Sequence, residues 1–84
     1  MDISRDEQRV LHHMAQGGYI AVVKDGKTII ELHCMTRDGW EVPDLSLELF
    51  RKLKRRRTIA SCSGQPYRIT KRGLQLVRSQ LNNR

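Results

Sequence analysis

Apolar residues first recur at helical spacing at Val10, Leu11 and Met14. Ahead of them stands Ser4-Arg5-Asp6-Glu7, which has the form of a capping box. In such a box the Ser4 hydroxyl accepts from the Glu7 amide, and the Glu7 carboxylate reaches back to the Ser4 amide. Asp6 and Glu7 also suit the positive end of the helix dipole. The pattern predicts a helix from about Arg5 to Gln16, stopped by the left-handed turn that Gly17-Gly18 permits. The spacing then changes. Tyr19–Val23 and Thr28–Met35 are runs rich in β-branched residues, separated by Asp25-Gly26, a hairpin signal. A two-residue loop at Asp25-Gly26 would pair Ile20 with Glu31 and put Ile20 and Ile30 on opposite faces. A three-residue loop, Lys24-Asp25-Gly26, pairs Ile20 with Ile30 and Val22 with Thr28. It places Ile20, Val22, Ile30 and Leu32 on one face, and is preferred because one buried face sets the register. Arg37-Asp38-Gly39 forms a further turn, and Trp40-Glu41-Val42 adds a short third strand before Pro43.

The second half repeats the alternation of helix and hairpin. Ser46 caps a second helix, with Leu45 and Phe50 placed for a hydrophobic staple. Leu49, Phe50 and Leu53 form its buried stripe, and the helix frays near Arg56-Arg57. Thr58–Cys62 and Pro66–Ile69 flank Ser63-Gly64-Gln65 as a second hairpin. Thr70 caps a third helix from Lys71 to about Leu81, with Leu74, Val77 and Leu81 inward, Gly73 allowing close packing in its first turn, and the tail Asn82-Asn83-Arg84 loose. The expected architecture is a single α+β domain over residues 1–84, in the order α-β-β-(β)-α-β-β-α. The run from Leu49-Phe50-Arg51-Lys52-Leu53 to Tyr67-Arg68-Ile69-Thr70-Lys71-Arg72-Gly73 resembles the second half of winged-helix domains, where a helix is followed by a β wing and a capped helix.

Size narrows the functional classes. A chain of 84 residues buries only about 60–65% of its unfolded surface and has little room for both a core and a deep catalytic cleft. Binding is therefore expected in preference to catalysis. The N-terminus has no apolar run of the signal-peptide kind, and no stretch reaches the ~18 apolar residues of a membrane span. A cytoplasmic protein is expected, with Cys34 and Cys62 as reduced thiols packed as small apolar groups.

Charge changes the picture most. Residues 1–44 carry five Lys/Arg against eight Asp/Glu, a balance of −3. Residues 45–84 carry eleven against Glu48 alone, a balance of +10, which makes up the net +7 of the chain. That asymmetry points to an anionic partner, nucleic acid or an acidic protein surface, with solubility as the plainer reason for the charge. The candidate binding residues are Lys52, Lys54, Arg55, Arg56 and Arg57 on and after the second helix, Arg68 on the wing, and Lys71 and Arg72 at the start of the third helix. Cations sit poorly at a helix N-terminus, so Lys71 and Arg72 either hold an anion beside the free amides or are tolerated at an exposed site. Such a surface touches phosphate and gives affinity for DNA without sequence choice. The start of the second helix, Ser46-Leu47-Glu48, is short of groups that read bases.

Catalytic and metal chemistry find little support. His12 and His13 are consecutive on a helix and cannot both face one site, and no Cys/His spacing matches a zinc site. There is no Gly-rich phosphate loop and no H-E-x-x-H. No cofactor is expected. Tyr19, Trp40 and Tyr67 are read as core or wing packing.

Taken over its whole length, the sequence resembles the YjhX toxin family. The resemblance rests on Ser4-Arg5-x-Glu7-Gln8 with Leu11-His12, on the hairpin strands leading into Arg37-Asp38-Gly39, and on Phe50-x-Lys52-Leu53-Lys54 followed by Gly64-Gln65-Pro66-Tyr67-Arg68-Ile69. The ending Val77-Arg78-x-Gln80-Leu81-x-Asn83-Arg84 also fits. The resemblance implies the toxin of a toxin–antitoxin pair. Its implied target is bacterial DNA topoisomerase I, bound and blocked without a reaction, and its implied antitoxin is an acetyltransferase-like protein. The other reading of the residues is a winged-helix DNA-binding regulator that uses its basic helix and wing.

Overall fold

A computed structural model describes residues 4–43 and 45–82. The elements run α1 (Arg5–Ala15), β1 (Tyr19–Asp25), β2 (Thr28–Met35), β3 (Glu41–Val42), α2 (Leu47–Arg55), β4 (Ile59–Ala60), β5 (Arg68–Ile69) and α3 (Lys71–Asn82). The architecture is α+β, with three helices and antiparallel sheets. Each helix start is fixed by a local hydroxyl. Ser4 Oγ accepts from the Glu7 amide at 3.2 Å while Glu7 Oε1 accepts from the Ser4 amide at 3.0 Å, completing the capping box. Ser46 Oγ accepts from the Leu49 amide at 3.1 Å, and Thr70 Oγ1 from the Gly73 amide at 3.1 Å. The Leu81 side chain and residues 83–84, read above as inward-facing and loose, lie outside what the structure describes.

The two hairpins are joined into one body by main chain. β1, β2 and β3 form one antiparallel sheet, and β4 and β5 a second, pairing Ile59 with Ile69 and Ala60 with Arg68. Ile20 donates its N–H to the Tyr67 carbonyl at 3.0 Å and accepts from the Tyr67 N–H at 2.8 Å, so β1 touches both sheets. The core gathers Val10, Leu11 and Met14 from α1, Ile20, Cys34 and Val42 from the first sheet, and Leu49, Phe50 and Leu53 from α2. Ile59 and Val77 close it. α3 lies against α1 and β5. Gly73 makes that approach possible: a Cβ there would stand 2.5 Å from the Thr58 carbonyl oxygen and 2.7 Å from Ile69 Cγ1.

The first hairpin departs from the expected register. Tyr19 pairs with Met35, Ile20 with Cys34 and Val22 with Leu32, and Asp25 pairs with Thr28 across a two-residue Gly26-Lys27 turn. Val23 opposes Glu31 while Lys24 opposes Ile29, which leaves Ile30 as the extra residue of a β-bulge. The expected Ile20–Ile30 pair is therefore absent, and Ile30 is 58% exposed instead of joining the buried face. The assumption of one unbroken apolar face fails because the bulge at Ile30 breaks the alternation between Ile29 and Glu31. The second hairpin is also shorter than expected, with two-residue strands in place of Thr58–Cys62 and Pro66–Ile69. Two packing expectations fail as well. Trp40 is 73% exposed on its turn, and Cys62 is an exposed thiol, whereas Cys34 is buried.

Candidate functional site

The second half concentrates its cations where the end of α2 meets the start of α3. α2 ends in a Schellman motif: the Arg57 amide donates to the Lys54 carbonyl at 2.9 Å and the Thr58 amide to the Leu53 carbonyl at 3.2 Å. The left-handed position of that motif is Arg57, at φ 60°. The same motif closes α1, with Gly17 donating to Met14 and Gly18 to His13, but there the left-handed position is Gly17, at φ 107°. A side chain in that conformation costs roughly 1–2 kcal/mol that glycine avoids. Thr70 then ties the junction: its hydroxyl donates to the Arg57 carbonyl at 2.8 Å and its amide to the Thr58 carbonyl at 2.9 Å. Arg55 and Arg57, at the end of α2, and Lys71 and Arg72, in the first turn of α3, are all exposed.

The remaining candidates have partners within the fold. Lys52 Nζ lies 3.2 Å from Glu7 Oε1 and Arg56 Nε 3.0 Å from Glu7 Oε2, and Glu7 is fully buried. The Arg56 contact is close but poorly aligned, which leaves Glu7 Oε2 and Arg56 Nη1 buried without a hydrogen-bond partner in the protein. Burial alone would raise the Glu7 carboxyl. The Ser4 amide, Lys52, the Ser4 hydroxyl and the Arg56 charge outweigh it and hold the group below its usual range. Lys54 Nζ stands 5.7 Å from the ring centres of both Phe50 and Tyr67, which meet edge to face at 5.0 Å. Arg68 donates to the Gly17 carbonyl at 3.3 Å and lies 5.2 Å over the Tyr19 ring. The tip of the second hairpin, Ser61 to Gln65, carries no charge. Of the eight candidates, four thus form an exposed arc at the α2–α3 junction, while Lys52, Arg56, Lys54 and Arg68 have contacts inside the molecule.

Two further titratable groups, His33 and Cys34, lie outside the basic half. His33 Nδ1 lies 3.1 Å from Glu41 Oε2 and its Nε2 3.8 Å from Glu31, chiefly through pairing of β2 with β3. The Glu41 hydrogen bond raises the imidazole above its ordinary value against the cost of burial, with the charges of both carboxylates adding to the rise. Burial, helped by Glu41, pushes the Cys34 thiol up to about 11. A buried, fully protonated thiol is inert. Iodoacetamide is therefore expected to label Cys62 alone in the folded protein and both thiols in denaturant, read by intact mass. Equal labelling rates for the two native thiols would contradict the buried placement of Cys34.

The family profile described as "Putative toxin of bacterial toxin-antitoxin pair", the YjhX toxin profile, matches residues 1–84. The chain belongs to the YjhX toxin family. It is 68% identical to a UPF0386 protein of Sinorhizobium fredii and 67% identical to one of Rhizobium meliloti, in both cases over the whole of both chains. A UPF0386 protein of Hyphomonas neptunium is 66% identical over 99% of each chain. No solved structure matches. Membership of a YjhX toxin–antitoxin family implies an antitoxin partner. In this YjhX chain, no helix among the described residues is long and apolar enough to cross a membrane.

Proposed function

We propose that this protein is a toxin with a winged-helix-like fold that binds and blocks bacterial DNA topoisomerase I, without a reaction of its own. The observation that carries the reading is the exposed arc of Arg55, Arg57, Lys71 and Arg72, and above all Arg57. Glycine would serve the turn at Arg57 more cheaply, as it does at Gly17. A side chain kept at a conformational cost is a mark of a functional position. The target reading comes from the resemblance to the YjhX family. An enzyme bound to DNA offers a polyanion for the arc and a protein surface for the exposed Val23, Ile30 and Leu47. The alternative, a DNA regulator that reads with helix and wing, has less support. The wing tip is uncharged, and Arg68 is turned toward Gly17.

The test is relaxation of negatively supercoiled plasmid by topoisomerase I as the protein is titrated at several DNA excesses. Inhibition that follows the ratio of protein to enzyme supports direct blocking. Inhibition that follows the ratio of protein to DNA and fades with salt makes the protein a DNA coat instead. Replacing Arg55, Lys71 and Arg72 by Ala together with Arg57→Gly is expected to weaken inhibition at least about tenfold, at up to ~1 kcal/mol per exposed contact. The Arg57→Gly change alone should leave thermal stability equal or higher. Undiminished inhibition by the quadruple variant would remove the arc from the mechanism.

A further inference from the structure

β1 has one edge bonded to β2 and one edge that is only partly used. The Ile20 N–H and C=O point away from β2 and bond Tyr67. Alternate residues of an antiparallel strand send their main-chain groups to the same side. The N–H and C=O of Val22 and Lys24 therefore point to the same free edge as those of Ile20. Among the described residues the bridge to Tyr67 is the last contact of this kind, because the arm leading to β5 diverges from β1 beyond it. The divergence opens a cleft of about 250 Å³. Val22 and Lys24 stand on one wall, and Ser61, Gly64, Gln65 and Tyr67 on the other. Unpaired edges that lie next to a cleft are where proteins accept an extended strand, which gains main-chain hydrogen bonds from the edge and selectivity from the walls.

We infer that this cleft seats an extended acidic segment of the antitoxin, hydrogen-bonded to the main chain of Val22 and Lys24. The inference rests on the toxin–antitoxin reading of the family and does not depend on which enzyme the toxin blocks. Charge selects the occupant. Among the described lining residues Lys24 carries the single charge, and no carboxylate faces it there. Lys54, above the Tyr67 ring, adds a second cation beside the same wall. A lysine on a strand edge repels another copy of a chain with net charge +7 and admits an acidic strand. Ile20 and Tyr67 already hold the two walls together at one end, so the cleft is preorganised at its base and little ordering cost falls on the toxin.

The test uses the full chain and a synthetic probe, a capped peptide of about six residues alternating Val and Glu, the usual length of one strand. Amide spectra and hydrogen exchange are followed during titration. The expected result is slowed exchange at the Val22 and Lys24 amides, with binding at least tenfold weaker for the Val/Lys peptide and for an acidic peptide N-methylated at alternate residues. Lys24→Pro removes one edge donor without touching the β2 ladder and is expected to weaken the acidic peptide at least tenfold. Lys24→Glu does the same by charge and covers the case in which the proline variant does not fold. No protection at Val22 and Lys24, or equal binding of the N-methylated peptide, would overturn the inference. Both Lys24 variants should inhibit plasmid relaxation like the parent. A parent that inhibits nothing in that assay refutes the topoisomerase reading, while the peptide titration still decides the cleft.

Discussion

Phe50→Ala is expected to lower the unfolding free energy by about 3–5 kcal/mol. The ring is 1% exposed, sits in the middle of the α2 stripe, and meets Tyr67 edge to face. Its loss removes core volume and the lateral support of Tyr67, whose main chain joins the two sheets. Lys54, which stands over both rings, loses one of its two aromatic partners. A domain of this length has about 4–12 kcal/mol in all, so the variant should be partly unfolded near body temperature. Urea denaturation followed by far-UV circular dichroism measures the change. Phe50→Leu keeps most of the volume and should cost markedly less. A loss below ~1 kcal/mol for the alanine variant would mean that the core does not close around Phe50.

Glu7→Gln is expected to destabilise by about 2–4 kcal/mol at neutral pH, toward the lower end of what breaking a buried ion pair costs. The discount reflects Lys52, whose side chain is 45% exposed and can turn to water. Arg56 has less freedom, because its Nη1 is buried without an acceptor. Glutamine keeps an oxygen for the Ser4 amide, so the capping box survives and the change isolates the charge. The pH dependence carries a distinct signature. The Glu7 pKa is lowered in the folded state, so its contribution is complete above the unfolded value of 4.5 and is lost as pH falls through the folded value. The parent should therefore lose stability below about pH 4.5 along a limb that the glutamine variant lacks. Parallel acid curves for the two proteins would show that folding does not lower the Glu7 pKa.

How much of this was legible in the sequence depends on how local each determinant is. Ser4, Ser46 and Thr70 act within one turn, and all three caps stand where their spacing puts them. Gly73 was legible too, since a glycine in a first helical turn asks for a close neighbour, and Thr58 is that neighbour. The hairpin register was not. Its rule assumes that apolar residues share one face, and Ile30 breaks the rule by occupying a bulge. The basic half was visible as a charge excess, but its division into an exposed arc and internal partners was not. Lys52 and Arg56 are four apart, flank Leu53, and look like solvated cations until Glu7 is placed under them from the other end of the chain. A buried glutamate at the third position of a capped helix was the available hint, and it was absorbed by the cap.

The bridge between Ile20 and Tyr67 bears on how the chain reaches this fold. Its two residues are 47 apart in sequence, and closing so long a loop loses chain entropy before any reward arrives. The β4–β5 pair has only two residues on each side and cannot persist alone. The second hairpin should therefore form late, after α1 and the long β1–β2 hairpin have supplied a surface to receive Tyr67. Mutations in the second hairpin would then speed unfolding and leave the folding rate almost unchanged, whereas mutations in the first hairpin would slow folding. A nascent chain released before Tyr67 emerges would present β1 with its whole outer edge open, and would depend on whatever strand it met first.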